Sequence, residues 1–155
     1  MITIGIDPGT TRIGYGVVNQ EKNRLICVDY GILKVGSDKL TGFKEASEEL
    51  EKLIRKYKPD QVGVEKLFFF KNQKTVMAVS EMRGVLLFTL AKHNVPVQEF
   101  TPLQVKQSVS AYGRAEKGQM QRVVQLLLGI KEPIRPDDAA DALAIAICCA
   151  SNKMF

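Results

Sequence analysis

The sequence predicts an α/β fold: a five-stranded mixed sheet, its first three strands antiparallel, flanked by helices. Two observations predict it. Three apolar, β-branched segments follow one another within the first 34 residues, joined by short turns. After them, helical and strand patterns alternate along the chain. Size agrees with this. A chain of 155 residues, 45% hydrophobic and 25% charged, can bury a sizeable core as one globular domain over 1–155.

Ile2-Thr3-Ile4-Gly5-Ile6 reads as the first strand, 12–19 as the second and 24–34 as the third, with 19–23 as a turn. Such short links predict an antiparallel meander. From 41 to 57, Phe43, Ala46, Leu50, Leu53, Ile54 and Tyr57 recur at helical spacing, and Lys58-Pro59-Asp60 ends that helix. Its acids Glu45, Glu48, Glu49 and Glu51 are expected in solvent. The fourth strand is 61–65, and the strand–helix–strand order requires a parallel crossover. Phe68-Phe69-Phe70-Lys71 reads as a loop, followed by a long helix over 72–93, a strand over 95–100 and a short helix opened by Thr101-Pro102. A helix over 116–128 precedes Pro133 and Pro136. The last helix, 137–150, is apolar almost all round after Asp141 and is expected to be buried. This order suits a ribonuclease H-like fold.

The formal net charge of +5 and a pI near 9.1 bias the chain towards polyanionic partners. No apolar run approaches the ~20 residues that a membrane span needs. The N-terminus reads directly as a strand, with no signal-peptide pattern. Cys27, Cys148 and Cys149 form no Cys-x-x-Cys pair, and His93 is the sole histidine, so zinc is not expected. Reduced thiols in a cytoplasmic protein are.

The chemistry concentrates in acids at the ends of apolar elements. Asp7 closes the first strand just before a Pro8-Gly9 turn, and Glu65 closes the fourth. If these strands are neighbours, the two carboxylates emerge side by side. Asp138 and Asp141 are three apart on a helix and share a face, with only methyl groups between them. Clustered carboxylates repel unless cations neutralise them, and hard oxygen donors suit Mg²⁺ or Mn²⁺. Two such ions ~3.5–4 Å apart can serve a phosphodiester. Asp137 competes with Asp138, because 137 and 141 also share a face; a first-turn acid can simply favour the helix dipole, the duty assigned here to Asp137. Glu99 is expected near the same sheet end in a structural role.

Taken in order, Gly-Ile-Asp-Pro-Gly-Thr-Thr-Arg-Ile-Gly-Tyr-Gly at 5–16, Val-Glu-Lys-Leu-Phe at 64–68, Val-Lys-Gln at 105–107, Ala-Glu-Lys at 115–117 and Asp-Ala-Ala-Asp-Ala-Leu-Ala at 138–144 resemble RuvC, the bacterial Holliday-junction resolvases. The likeness spans essentially the whole chain. It implies that Asp7, Glu65, Asp138 and Asp141 are catalytic and bind two Mg²⁺ ions per site, with Mn²⁺ as a substitute. Some relatives carry His at the third of these positions; Asp138 makes the set all-carboxylate. The resemblance further implies a homodimer that nicks opposed strands of a four-way DNA junction in recombination and repair. The nicks leave ligatable 5'-phosphate ends, and RuvA and RuvB are the implied partners.

The same resemblance gives the DNA contacts. Phe68 matches a residue that stacks on an unpaired base, Phe69 or Phe70 could assist, and Lys106 and Lys117 match phosphate contacts. Lys66, Lys71, Lys74, Arg83, Arg114 and Arg122 add positive charge around the acids, with Lys71 and Arg114 the further expected DNA contacts. Lys74 and Arg122 read better as solvated. The apolar stripe of the 72–93 helix is too wide for one face on one sheet, and part of it is expected to pair with a twin subunit. Two rivals remain: an actin-like ATPase, which begins with a similar Ile-Asp-x-Gly-Thr-Thr loop but needs two lobes, and a junction-binding protein without activity.

Overall fold

The computed structural model describes residues 1–67, 73–110 and 116–152. Strands β1 (Ile2–Asp7), β2 (Arg12–Glu21) and β3 (Arg24–Lys34) form the antiparallel meander; β4 (Gln61–Glu65) runs parallel to β1, and β5 (Val97–Phe100) parallel to β4. The sheet order is β3-β2-β1-β4-β5. β1 runs one residue past the 2–6 read as strand, and Asp7 closes it as expected, still paired with Gly14. β5 begins two residues later than the sequence suggests. Pro96 has no N–H to give a ladder, and the Val95 N–H donates instead to the Leu90 carbonyl of the preceding helix.

Helices α1 (Lys39–Tyr57) and α2 (Gln73–Lys92) cover one face of the sheet, and α3 (Pro102–Val109), α4 (Lys117–Leu128) and α5 (Asp137–Ser151) the other. Strand alternation builds the two cores. Ile4, Ile6, Val62 and Val64 pack with Leu50, Leu86 and Leu90 of α1 and α2. Thr3, Gly5, Gln61 and Gly63 turn the other way, towards α5. Asp38 caps α1 by accepting from the Thr41 N–H at 3.0 Å, and Thr101 and Gln104 form a capping box on α3.

Glu48 is exposed as expected, but Glu45 and Glu51 are less solvated. Glu45 accepts from the Gly36 N–H, and Glu51 is half-buried between Lys92, the last residue of α2, and His93 just after it. A helix packed against a second helix lends its flanking acids to that contact. Cys148 and Cys149 are buried free thiols, and Cys27 is a half-buried one. No helix among the described residues is long and apolar enough to cross a membrane.

α5 is buried from Ala139 to Ala150, apart from half-buried Asp141, and it lies directly on the main chain of the sheet. A Cβ on Gly5 would fall 2.0 Å from the Ala142 carbonyl oxygen, and one on Gly14 would fall 2.0 Å from that of Asp138. Only glycine permits this approach.

Candidate active site

The four acids lie at one end of the sheet because three separate constraints point there. β1 and β4 run parallel, and their ladder ends at the Ile6–Val64 pair. Asp7 and Glu65 are the next residue of each strand. Alternation puts both on the α5 face, since Ile6 and Val64 face α1 and α2. The third constraint is Gly14. It pairs with Asp7 across the hairpin, and its missing side chain admits the first turn of α5, so that a Cβ there would lie 3.2 Å from Asp138 Cβ. Asp141 follows one turn later on the same helix, with its charge acting on Glu65. All four acids are half-buried.

Electrostatics mark Glu65 most strongly. Its carboxyl is pushed up to about 7, first by burial, then by the negative charge of Asp141; the ammonium of Lys106 on α3 opposes both. Asp138 forms an ion pair with Arg12, 3.4 Å from Arg12 Nε to Asp138 Oδ2. That pair is half-exposed and contributes little stability, but it sets a cation beside the carboxylates. A cleft of about 620 Å³ opens next to it, lined by Arg12, Gln121, Arg135, Asp137 and Asp138. Asp137 accepts a hydrogen bond from Gln121 Nε2 at 3.0 Å, which ties the start of α5 to α4.

Among the described residues, no group of three or more Asp, Glu, His or Cys side chains is drawn together tightly enough to hold a metal ion as the side chains stand. The donor chemistry nevertheless suits a hard divalent cation. The groups at this sheet end are carboxylates, and Glu65 is raised by burial first and by the negative charge of Asp141 second.

The other predicted site residues divide into two groups. Lys106 is exposed on α3 and close enough to act on Glu65. Lys66 and Lys74 are exposed, as is Arg122 in the middle of α4. Phe68, Phe69, Phe70, Lys71 and Arg114 lie outside the described residues, and so does the side chain of Lys117, which opens α4. Arg83 contacts the site from behind. Its Nε donates to the Glu65 carbonyl at 3.0 Å, and its Nη2 donates to the Glu99 carboxylate. Sequence reasoning misses Arg12; the available signal is its place two residues before Gly14, the partner of Asp7.

The family model for crossover junction endodeoxyribonuclease RuvC matches residues 3–149. The chain belongs to the RuvC family. It is 51% identical over 150 residues to crossover junction endodeoxyribonuclease RuvC of Petrotoga mobilis, covering 96% of this chain and 92% of that one. The RuvC of Alkaliphilus metalliredigens is 46% identical over 157 residues, covering 100% and 96%. Among solved structures, Thermus thermophilus RuvC in complex with Holliday junction substrate superposes with a TM-score of 0.91 at 31% identity, covering 97% of this chain and 93% of that one. The yeast mitochondrial Holliday junction resolvase shares the fold at a TM-score of 0.68 and 14% identity, covering 94% and 77%. The mixed sheet and flanking helices are thus those of the RuvC and ribonuclease H-like resolvases.

Proposed function

We propose that this RuvC-family chain, as one nuclease domain over 1–155, resolves four-way DNA junctions by paired, symmetric nicks that leave ligatable 5'-phosphate ends. One observation carries the reading. In a chain of this family, Asp7, Glu65, Asp138 and Asp141 come from three distant parts of the sequence to one sheet end, through strand register and the Gly14 contact. These four are the residues that would hold two Mg²⁺ ions, or Mn²⁺ in their place. Bound there, the ions supply an activated water and charge stabilisation for the leaving oxygen.

The chain's own residues do the rest. Lys106 stands beside Glu65 and would hold the phosphate that approaches it. Arg12 would release Asp138 when a cation arrives, since one carboxylate cannot serve both fully. Phe68, three residues past Glu65, would stack on an unpaired base, a contact worth ~1–3 kcal/mol. Lys117, Arg114, Lys71 and Phe69 would extend the DNA contact. Two copies paired through α2 would present two sites to the two opposed strands. RuvA and RuvB are the proposed protein partners, and the cytoplasm the proposed compartment.

A synthetic four-way junction tests this. With Mg²⁺ the expected products are two opposed nicks that a ligase reseals, with none in EDTA and none on linear duplex of the same sequence. Equal cutting of the linear duplex, or cutting in EDTA, would contradict it. So would ATP hydrolysis without cutting, which belongs to the actin-like rival.

A further inference from the structure

Arg83 lies behind the sheet end that carries the acids, with its side chain only 16% exposed. It comes from α2, on the face of β4 opposite the one that carries the Glu65 carboxylate. Burying a guanidinium is costly unless its donors are satisfied. Two of them find acceptors here: Nε donates to the Glu65 main-chain carbonyl at 3.0 Å, and Nη2 to the carboxylate of Glu99 on β5. Glu65 needs such a hold. It lies one residue beyond the last β1–β4 pair, so on the β1 side its main chain has no ladder partner, while on the other side it still pairs with Phe100 of β5. On the other side, the Lys66 N–H donates to the Phe100 carbonyl at 2.7 Å, and there β4 ends.

We propose that Arg83 is a positioning residue for the cation site: it clamps the main chain of Glu65 between α2 and β5 and thereby fixes where the Glu65 carboxylate stands. The proposal rests on the reading of Glu65 as a cation ligand. An arginine suits this duty because its planar fork sends two N–H groups in fixed directions to two acceptors. Lysine would reach one acceptor at a time. The clamp also makes Glu65 sensitive to α2, the helix whose outer face would meet a second subunit. Arg83 touches neither DNA nor cation in this arrangement; it acts through Glu65.

The test measures Mn²⁺ binding to DNA-free protein by titration calorimetry, together with the Mn²⁺ dependence of junction cutting. Arg83→Gln is expected to weaken Mn²⁺ binding, and to raise the Mn²⁺ needed for half-maximal cutting, by roughly tenfold, the order of effect when a group that orients a metal ligand is lost. Junction binding in EDTA should stay at the wild-type level. Arg83→Lys should recover part of the loss. Glu99→Gln keeps an acceptor but not its charge and should show a smaller shift in the same direction. Wild-type Mn²⁺ affinity in Arg83→Gln overturns the proposal. If Arg83→Gln melts too early to measure, wild-type Mn²⁺ affinity in a stably folded Glu99→Gln overturns it instead. The underlying reading fails separately: Glu65→Gln that binds Mn²⁺ and cuts like wild type would remove Glu65 from the site. An inert Glu65→Gln beside a normal Arg83→Gln refutes the clamp alone.

Discussion

Asp7 and Glu65 sit on neighbouring strands, yet their surroundings differ enough to give separate predictions. Asp7→Asn keeps size and hydrogen bonding and removes only the charge that a cation needs. Cutting should therefore be abolished while junction binding, measured by gel shift in EDTA, is retained; parallel loss of both would make Asp7 a structural residue. Glu65 gives a pH signature. Its folded pKa of about 7 stands above the ordinary 4.5, so the fold prefers the protonated form. The stability this contributes is fully present below pH 4.5 and is lost as pH rises through 7. In EDTA, thermal melting of wild type should fall relative to Glu65→Gln across that window. The fall should be at most about 3.5 kcal/mol, at ~1.4 kcal/mol for each tenfold change in the protonation equilibrium. Mn²⁺ should restore wild type, and not the variant, above pH 7. A constant difference between the two proteins would contradict this. The placing of Asp7 and Glu65 at one sheet end was legible in the sequence, because both close apolar strands that the crossover sets parallel. The Arg12 ion pair was not, since nothing in a linear pattern says which basic residue a strand pairing will bring across.

At the scale of elements, the site depends on how closely α5 approaches β1 and β2. Gly14 is decisive: a methyl group there would meet the Asp138 carbonyl at 2.0 Å. Gly14→Ala must push the first turn of α5 off the sheet, and Asp138 with it. A fall in cutting of at least tenfold is expected, together with a loss of ~1–3 kcal/mol in melting typical of overpacking. Gly14→Ala with wild-type cutting would show that this distance does not matter. Strand and helix periods made most elements legible, including the buried last helix, because alternation and 3.6-residue spacing record which side faces a core. Helix–sheet spacing leaves a weaker trace: glycines in strands signal close approach but do not name the visitor. Arg83 illustrates the same limit. The sequence reads it only as positive charge around the acids; its partners, Glu99 and the end of β4, come from the fold.

At the scale of the whole molecule, α2 retains an apolar outer face. Met77 is 68% exposed and Phe88 70% exposed, and they lie about three turns apart on one side of the helix. Isolated exposed apolar residues mean little, but an aligned pair on an apolar helix fits contact with a second copy. Met77→Glu with Phe88→Glu should give a monomer in analytical ultracentrifugation and abolish the paired second nick; an unchanged sedimentation coefficient would place subunit pairing elsewhere. The net charge of +5 adds a salt prediction. Junction affinity should fall steeply, in log–log proportion, as salt rises, while the cutting rate of the preformed complex stays nearly constant. A cutting rate that falls as steeply as affinity would show that phosphate contacts act in the chemical step. The central claim, that four acids from three distant segments form one divalent-cation site, is tested most directly by counting Mn²⁺ ions bound in the junction complex by electron paramagnetic resonance. The expected result is two ions per subunit in wild type, with fewer in each of Asp7→Asn, Glu65→Gln, Asp138→Asn and Asp141→Asn. Wild-type stoichiometry in any one of these folded variants would contradict it.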